Sequence, residues 1–158
     1  MKGERCQAGQ LVIVALGSNL GDSVQLVLRA MDRLQILSAG PVLKSSLRQT
    51  APVDCPPGSP HFINAVAALV AQAGETPESL LARLQEIERE FGRERKEIVN
   101  EPRPLDLDLI AFGKETRSNR RLVLPHPRAH LRRFVEAFWV MGVVFLLMIP
   151  FLPLLQYS

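Results

Sequence analysis

The stretch Arg103-Pro104-Leu105-Asp106-Leu107-Asp108-Leu109-Ile110 alternates aliphatic and acidic residues at the two-residue period of a β-strand. Leu105, Leu107 and Leu109 then face a core, and Asp106 and Asp108 share the opposite face, separated by roughly 7 Å of strand rise. Two neighbouring ionised carboxylates repel each other, and a divalent cation removes that penalty. Mg²⁺ takes one or two protein carboxylates and shares its other positions with water and substrate phosphates, so the pair points to nucleotide chemistry. Taken alone, Asp-x-Asp is more often a half-exposed strand with two solvated acids. The rest of the chain decides between these readings.

At 158 residues the chain is most simply one domain, large enough to bury about two-thirds of its unfolded surface without disulfides. Nineteen Lys and Arg against sixteen Asp and Glu leave only +3. Between Arg93 and Arg133, however, eleven basic residues stand against six acids, a local excess that suits an anionic partner. Cys6 and Cys55 form neither a metal spacing nor a disulfide framework, so a reducing cytoplasm is expected. The apolar run Leu11–Leu16 is too short for a secretory segment, and no signal peptide is expected.

After Glu136 no charged residue follows, and Ala137 to Leu155 is a nearly continuous apolar run broken by Gly142, Pro150 and Pro153. Its length reaches the lower range of a membrane span, whereas the two late prolines and the lack of downstream basic residues speak against one. A membrane segment, a buried or interfacial element and an altered reading frame are the three readings of this tail. The expected organisation is a domain over residues 1–136 and an atypical apolar tail over 137–158.

Leu11–Leu16 reads as a buried strand closed by Gly17-Ser18-Asn19-Leu20-Gly21-Asp22. A helix follows, with Asp22 or Ser23 as cap and Val24, Val27, Leu28, Met31 and Leu34 at helical spacing. Val42–Gln49 reads as a second strand, the proline-rich Thr50–Pro60 as an irregular loop, and Phe62–Gln72 as a third strand. Thr76-Pro77 opens a second helix as N-cap and first helical residue, with Leu80, Leu81, Leu84, Ile87 and Phe91 as its stripe and Gly92 as C-cap. Gln85 and Glu88 lie on another face of that helix. With the Asp-x-Asp strand the order is β-α-β-β-α-β: an α+β fold of the ferredoxin-like kind, with both helices on one face of an antiparallel sheet and the other face open to ligands.

Gly92-Arg93-Glu94-Arg95-Lys96 ends the second helix in alternating bases, and Arg103 precedes Asp106 by three residues. A guanidinium fork binds two phosphate oxygens at once. Leu124-Pro125-His126-Pro127-Arg128, with Arg121 before it and Arg132 after, adds an imidazole that hydrogen-bonds phosphate in either protonation state. The Gly17–Gly21 turn is similar to an anion cradle but lacks the Gly-Lys-Ser/Thr end of a P-loop.

Together these segments resemble the 6-hydroxymethyl-7,8-dihydropterin pyrophosphokinase family of folate biosynthesis. The resemblance runs from about Leu11 to Phe134, through Ala15-Leu16-Gly17-Ser18-Asn19-Leu20-Gly21-Asp22, Ser45-Ser46, Thr50-Ala51-Pro52, Phe62-Ile63-Asn64-Ala65-Val66, Gln85-Glu86-Ile87-Glu88, Gly92-Arg93-Glu94-Arg95, Pro102-Arg103-Pro104-Leu105-Asp106-Leu107-Asp108 and Leu124-Pro125-His126-Pro127-Arg128. It implies a ferredoxin-like fold and transfer of the β,γ-pyrophosphoryl group of ATP to the pterin hydroxymethyl oxygen, with release of AMP. It also implies two Mg²⁺ ions on Asp106 and Asp108, with Arg95 and Arg103 joining them as catalytic residues. Gln85, Glu88, Arg95, Arg103, Leu109, Arg121, His126 and Arg132 would surround ATP. Thr50, Pro52, Val53, Phe62, Asn64 and Phe134 would form the pterin slot, the two phenylalanines stacking on the heterocycle and the Asn64 amide reading its edge. For both phenylalanines the alternative is core packing.

The chain departs from the family pattern at Asn100-Glu101, where Trp-Gly is usual, so an aromatic that would cover the closed site is absent. Pro104 and Val123 stand where Thr is common, and the apolar tail replaces the segment that ordinarily follows Phe134. The expected partners are ATP and a reduced pterin, with no nucleic acid: the closely spaced aromatics of an RNA-recognition sheet are missing. A cytoplasmic monomer is expected. The competing reading is a catalytically impaired homologue that binds a membrane or a partner through its tail.

Overall fold

The computed structural model describes residues 9–52, 55, 57–93 and 101–127. Strand β1 (Leu11–Ser18) leads into helix α1 (Ser23–Arg33), capped by Asp22, whose carboxylate accepts the Gln25 N–H at 3.2 Å. A 3₁₀ turn over Leu34–Leu37 extends it. Short strands β2 (Leu43–Lys44) and β3 (Arg48–Thr50) precede β4 (Phe62–Val70). Helix α2 (Pro77–Glu90) starts at a reciprocal Thr76–Ser79 capping box with proline in its first turn, then come β5 (Asp106–Phe112) and the small pair β6 (Arg117–Ser118) and β7 (Val123–Leu124).

The architecture is α+β, an antiparallel sheet of order β2-β4-β1-β5 with β3 also on β4 and with two helices, compatible with a ferredoxin-like fold. The single strand expected over Val42–Gln49 is split. Register along β4 shifts by one residue between β2 (Leu43 opposite Ala68) and β3 (Arg48 opposite Asn64). Ser45 fills the break: its N–H donates to the Val66 carbonyl and its hydroxyl accepts the Val66 N–H, both at 2.9 Å. A serine hydroxyl thus takes the place of a ladder carbonyl.

A second register shift shapes β5. Asp106, Leu107, Asp108 and Leu109 face Gly17, Leu16, Ala15 and Val14, whereas Ala111 and Phe112 face Ile13 and Val12, so Ile110 is an extra residue in β5. Strict alternation from Leu109 would send Phe112 to the opposite face. The bulge returns it to the side of Leu105, Leu107 and Leu109, where all four join one core cluster. Val12, Val14 and Leu16 of β1, Ala65, Ala67 and Leu69 of β4, Val27, Ala30 and Met31 of α1, and Leu80, Leu84 and Ile87 of α2 complete it. Both helices therefore cover the same sheet face. A bidentate pair links their ends, Arg33 Nε and Nη2 donating to Glu90, each at 3.0 Å.

Two expectations are corrected. On α1, Val24 and Leu28 are exposed, while Ala30 and Leu37 join the expected Val27, Met31 and Leu34 in the core. Val27, Ala30, Met31 and Leu34 already make one i, i+3, i+4, i+7 stripe, and Val24 and Leu28 fall to one side of it. On the second sheet face Ile13, Ala15, Val66 and Ala68 are at most 3% exposed, so most of that face is not open to ligands. β1 reads as a continuous apolar run because both of its sides are buried. Only its end at Gly17, between the half-buried Asn64 and Asp106, is left for polar groups.

Burial predicts unequal costs across the sheet. Phe112→Ala should lower unfolding free energy by about 3–5 kcal/mol in urea titration, whereas Leu43→Ala on exposed β2 should stay within about 0.5 kcal/mol.

Candidate active site

Asn64, Gly17 and Asp106 form a row across three adjacent strands, because Gly17 pairs with Asn64 on one side and with Asp106 on the other. Glycine leaves this row open. A Cβ at position 17 would sit 3.2 Å from Asn64 Oδ1, 3.8 Å from Phe62 Cδ1 and 4.0 Å from Asp106 Cβ. Asn64 is held by donating from Nδ2 to the Thr50 hydroxyl at 2.8 Å, which leaves Oδ1 facing the gap. Phe62 is buried, with the Arg103 guanidinium 5.9 Å from its ring centre.

Asp106 is gripped from both sides. Arg93 Nη1 donates to Oδ1 at 2.6 Å, and Arg103 Nη2 forms an ion pair with Oδ2 at 3.0 Å. Arg93 also bonds Glu88, so one guanidinium joins two carboxylates. The helix end explains this: Gly92 adopts φ +86° after α2, and the Arg93 N–H turns back to the Glu88 carbonyl at 3.0 Å, the closing bond of a Schellman-type cap. Glu88 reaches the strand itself, accepting the Leu107 N–H at 2.7 Å. Arg103 is fixed through its backbone, its N–H donating to Asn19 Oδ1 at 2.9 Å while its carbonyl accepts the Asn19 N–H at 3.2 Å. Among the described residues its Nε and Nη1 are buried without a hydrogen-bond partner.

Burial pushes the Glu88 carboxyl up to about 7, against the Leu107 N–H and the Arg93 charge, which favour its ionised form. Burial also raises Asp108, with the adjacent Asp106 charge adding to the effect and His126, Arg103 and Arg93 opposing it. Burial and the neighbouring Asp106 charge thus outweigh the attraction of the basic groups around Asp108.

Asp108 and Leu109 open on a cleft of about 280 Å³, walled by Leu81 of α2 and by the Asn119–Pro127 loop with Arg121 and His126. The bulge anchors this loop: the Ile110 carbonyl accepts the His126 N–H at 2.9 Å. Asn119 Oδ1 shapes the turn before it, accepting the Arg121 and Leu122 N–H groups at 2.9 Å each.

The structure brings together Asp106, Asp108, Arg103, Glu88, Asn64, Thr50 and Phe62, and, along the cleft, Leu109, Arg121 and His126. Pro52 is half-buried in the loop beyond β3. Gln85 is not drawn in: it stays exposed on α2 while Glu88, three residues on, is buried, so the pair does not act as one polar face. Arg95, Arg132, Val53 and Phe134 lie outside the described residues. Sequence reasoning missed Arg93, Asn19 and Gly17 as individual site residues. For Arg93 the signal was present, since a residue directly after a C-cap glycine folds back over the last helical turn.

Among the described residues no three His, Cys, Asp or Glu side chains gather as a metal cage. Asp106 and Asp108 offer hard oxygen donors in the number that Mg²⁺ accepts from a protein, and a bound cation would offset the burial that raises the Asp108 carboxyl.

A sequence model of the 7,8-dihydro-6-hydroxymethylpterin-pyrophosphokinase family matches residues 13–141. The chain is 38% identical over 123 residues to a 2-amino-4-hydroxy-6-hydroxymethyldihydropteridine pyrophosphokinase of Haemophilus influenzae, covering 77% of this chain and 74% of that protein. To the Bacillus subtilis protein of the same name it is 37% identical over 128 residues, covering 80% and 74%. It is also 36% identical over 135 residues to a folic acid synthesis protein of Pneumocystis carinii, covering 85% of this chain and 18% of that one. The chain thus spans under a fifth of that fungal relative and about three quarters of the bacterial two. With its matched region running through every strand of the sheet and both helices, the chain belongs to the 7,8-dihydro-6-hydroxymethylpterin-pyrophosphokinase family.

Proposed function

We infer that this chain transfers the β,γ-pyrophosphoryl group of ATP to the hydroxymethyl oxygen of 6-hydroxymethyl-7,8-dihydropterin, releasing AMP, in folate biosynthesis. The observation that carries this reading is the row Asn64–Gly17–Asp106, which sets an amide suited to a heterocycle edge beside a carboxylate bracketed by guanidiniums. Family membership supplies the reaction class.

In this reading Asp106 and Asp108 hold Mg²⁺, two ions by family resemblance, and bound metal supplies positive charge against the phosphoryl oxygens. Arg103 directs its two unpartnered N–H groups to phosphate. Leu109, Arg121 and His126 line the cleft assigned to ATP, and family resemblance adds Arg95 and Arg132 as further nucleotide contacts, whereas Gln85 stays exposed on α2. Glu88 acts from behind, bonding Arg93 and the strand backbone. Thr50, Pro52, Val53, Phe62, Asn64 and Phe134 form the pterin slot, Thr50 orienting the Asn64 amide so that its carbonyl accepts from the ring edge. Position and charge do the work here. A phosphoryl transition state with spreading charge needs cations and alignment more than a covalent nucleophile.

The fold proposed with this function is the split βαββαβ arrangement, with β2 and β3 as two halves of its second strand. The proposed organisation keeps residues 1–136 as the catalytic domain and 137–158 as the tail, in a monomer acting in the cytoplasm without nucleic acid. The membrane-attached alternative gains no support: among the described residues no helix is long and apolar enough to cross a membrane, and Ala137–Leu155 lies outside them.

Three outcomes test this reading. Asp106→Ala and Asp108→Ala should each cut pterin-dependent AMP release by at least about 100-fold while circular dichroism stays that of the parent. Pterin-dependent AMP formation surviving in both would reject the assignment. Gly17→Ala should raise the pterin KM several-fold with a smaller change in the KM for ATP, because the new methyl meets Asn64 Oδ1 at 3.2 Å. The third concerns pH. Glu88 is raised from 4.5 to about 7 in the folded chain, which therefore binds the extra proton within that window and loses stability as pH rises through it. The unfolding free energy of the metal-free parent minus that of Glu88→Gln should accordingly fall between about pH 5 and pH 8, and a flat difference would refute the placement of the Glu88 charge.

A further inference from the structure

We propose that Arg93 and Arg103 occupy Asp106 as stand-in cations, and that Arg103 leaves when a divalent cation is taken up there, while Arg93 falls back on Glu88. This rests on the reading of Asp106 as a metal ligand and deepens it.

The two arginines are not equivalent. Both oxygens of Asp106 are engaged, Oδ1 by Arg93 and Oδ2 by Arg103, so a cation bound to that carboxylate competes with a guanidinium for the same lone pairs. Arg93 has a second carboxylate: its Nη1 also bonds Glu88, which is itself fixed by the Leu107 N–H. Releasing Asp106 leaves Arg93 paired. Arg103 has no such second acid among the described ion pairs. Its side chain is held by an ion pair to Asp106 and by the Phe62 ring, and among the described residues Nε and Nη1 have no acceptor. Once Nη2 is freed, the whole guanidinium edge is short of an anion, in a place where burial makes an unpaired donor costly. Phosphate oxygens are the ligands that satisfy it.

Arg103 is therefore a relay between the two halves of the site. Its backbone does not move with it, because the reciprocal Asn19 bonds fix residue 103 to the turn after β1. The motion is confined to the side chain. Cation uptake and phosphate capture are then coupled through one carboxylate, and the coupling is reciprocal. Before the cation arrives, the arginines keep the buried acid from standing unpaired.

The test is Mn²⁺ binding to the full chain without nucleotide, followed by water-proton relaxation. Arg103→Met should bind Mn²⁺ about tenfold more tightly than the parent, because one half-buried ion pair no longer competes for Asp106. Glu88→Gln should bind it several-fold more weakly, since Arg93 loses its fallback. Arg121→Met removes the same charge from the cleft wall without a bond to Asp106 and should change affinity by less than twofold. Equal or weaker binding by Arg103→Met, or an equal gain in Arg121→Met, overturns the exchange. Asp106→Asn separates the two ideas: Mn²⁺ binding unaffected by it defeats the metal-site reading itself, whereas binding lost in Asp106→Asn and unchanged in Arg103→Met defeats the exchange alone. A second measurement needs no substitution. In the parent chain, Mg²⁺ alone should shift the Arg103 guanidinium resonances while leaving an Arg93–Glu88 contact detectable, and unchanged Arg103 resonances overturn the proposal.

Discussion

The pairing of β1 with β5, with one extra residue at Ile110, is the constraint on which the rest depends. Side chains alternate along a strand, so a slip of one residue would turn Asp106 and Asp108 into the helix-covered core and Leu107 and Leu109 out of it. Neither exchange is tolerable, since two carboxylates would lose solvation and two leucines would lose burial of about 1.5–3 kcal/mol each. The bulge lets the strand satisfy this demand at one end and the demand of Phe112 at the other. It also spares the Ile110 carbonyl for the His126 N–H, so the irregularity that corrects the core brings the imidazole loop up to Asp108.

Charge is balanced in the same place by means of helix geometry. Glu88, Asp106 and Asp108 bring three buried or half-buried acids together, and Arg93 and Arg103 answer two of them. Burying unpaired charge is expensive, and the raised Glu88 and Asp108 carboxyls are its signature. A scaffold built for stability alone would replace such a cluster with leucines. Its persistence in a sheet otherwise lined by alanine, valine and leucine marks the end of β5 as the place where the fold accepts cost for chemistry.

The proposed pterin side rests on what is missing rather than what is present. Gly17 contributes no side chain to a row whose other members are Asn64 and Asp106, and the gap forms between a neutral amide and a charged carboxylate. Thr50, brought alongside by β3, fixes which end of the amide faces that gap. The split between β2 and β3 at Ser45 sets the register that makes this possible.

The residue order alone determined the types of β1, α2 and β5, because each rests on local physics: alternation in β5, an apolar run in β1, Thr76-Pro77 at the start of α2 and Gly92 at its end. It also determined that Asp106 and Asp108 share a face, a property of any extended strand. It did not determine that Val24 and Leu28 are left exposed, that the second sheet face is mostly buried, or that Arg93 bridges Glu88 to Asp106. These depend on which surfaces meet, and no window of sequence contains both partners. The tertiary structure alone decided the bulge at Ile110, because an extra residue becomes visible only when a strand is laid against its neighbour and the leucines at one end and Phe112 at the other must reach the same core.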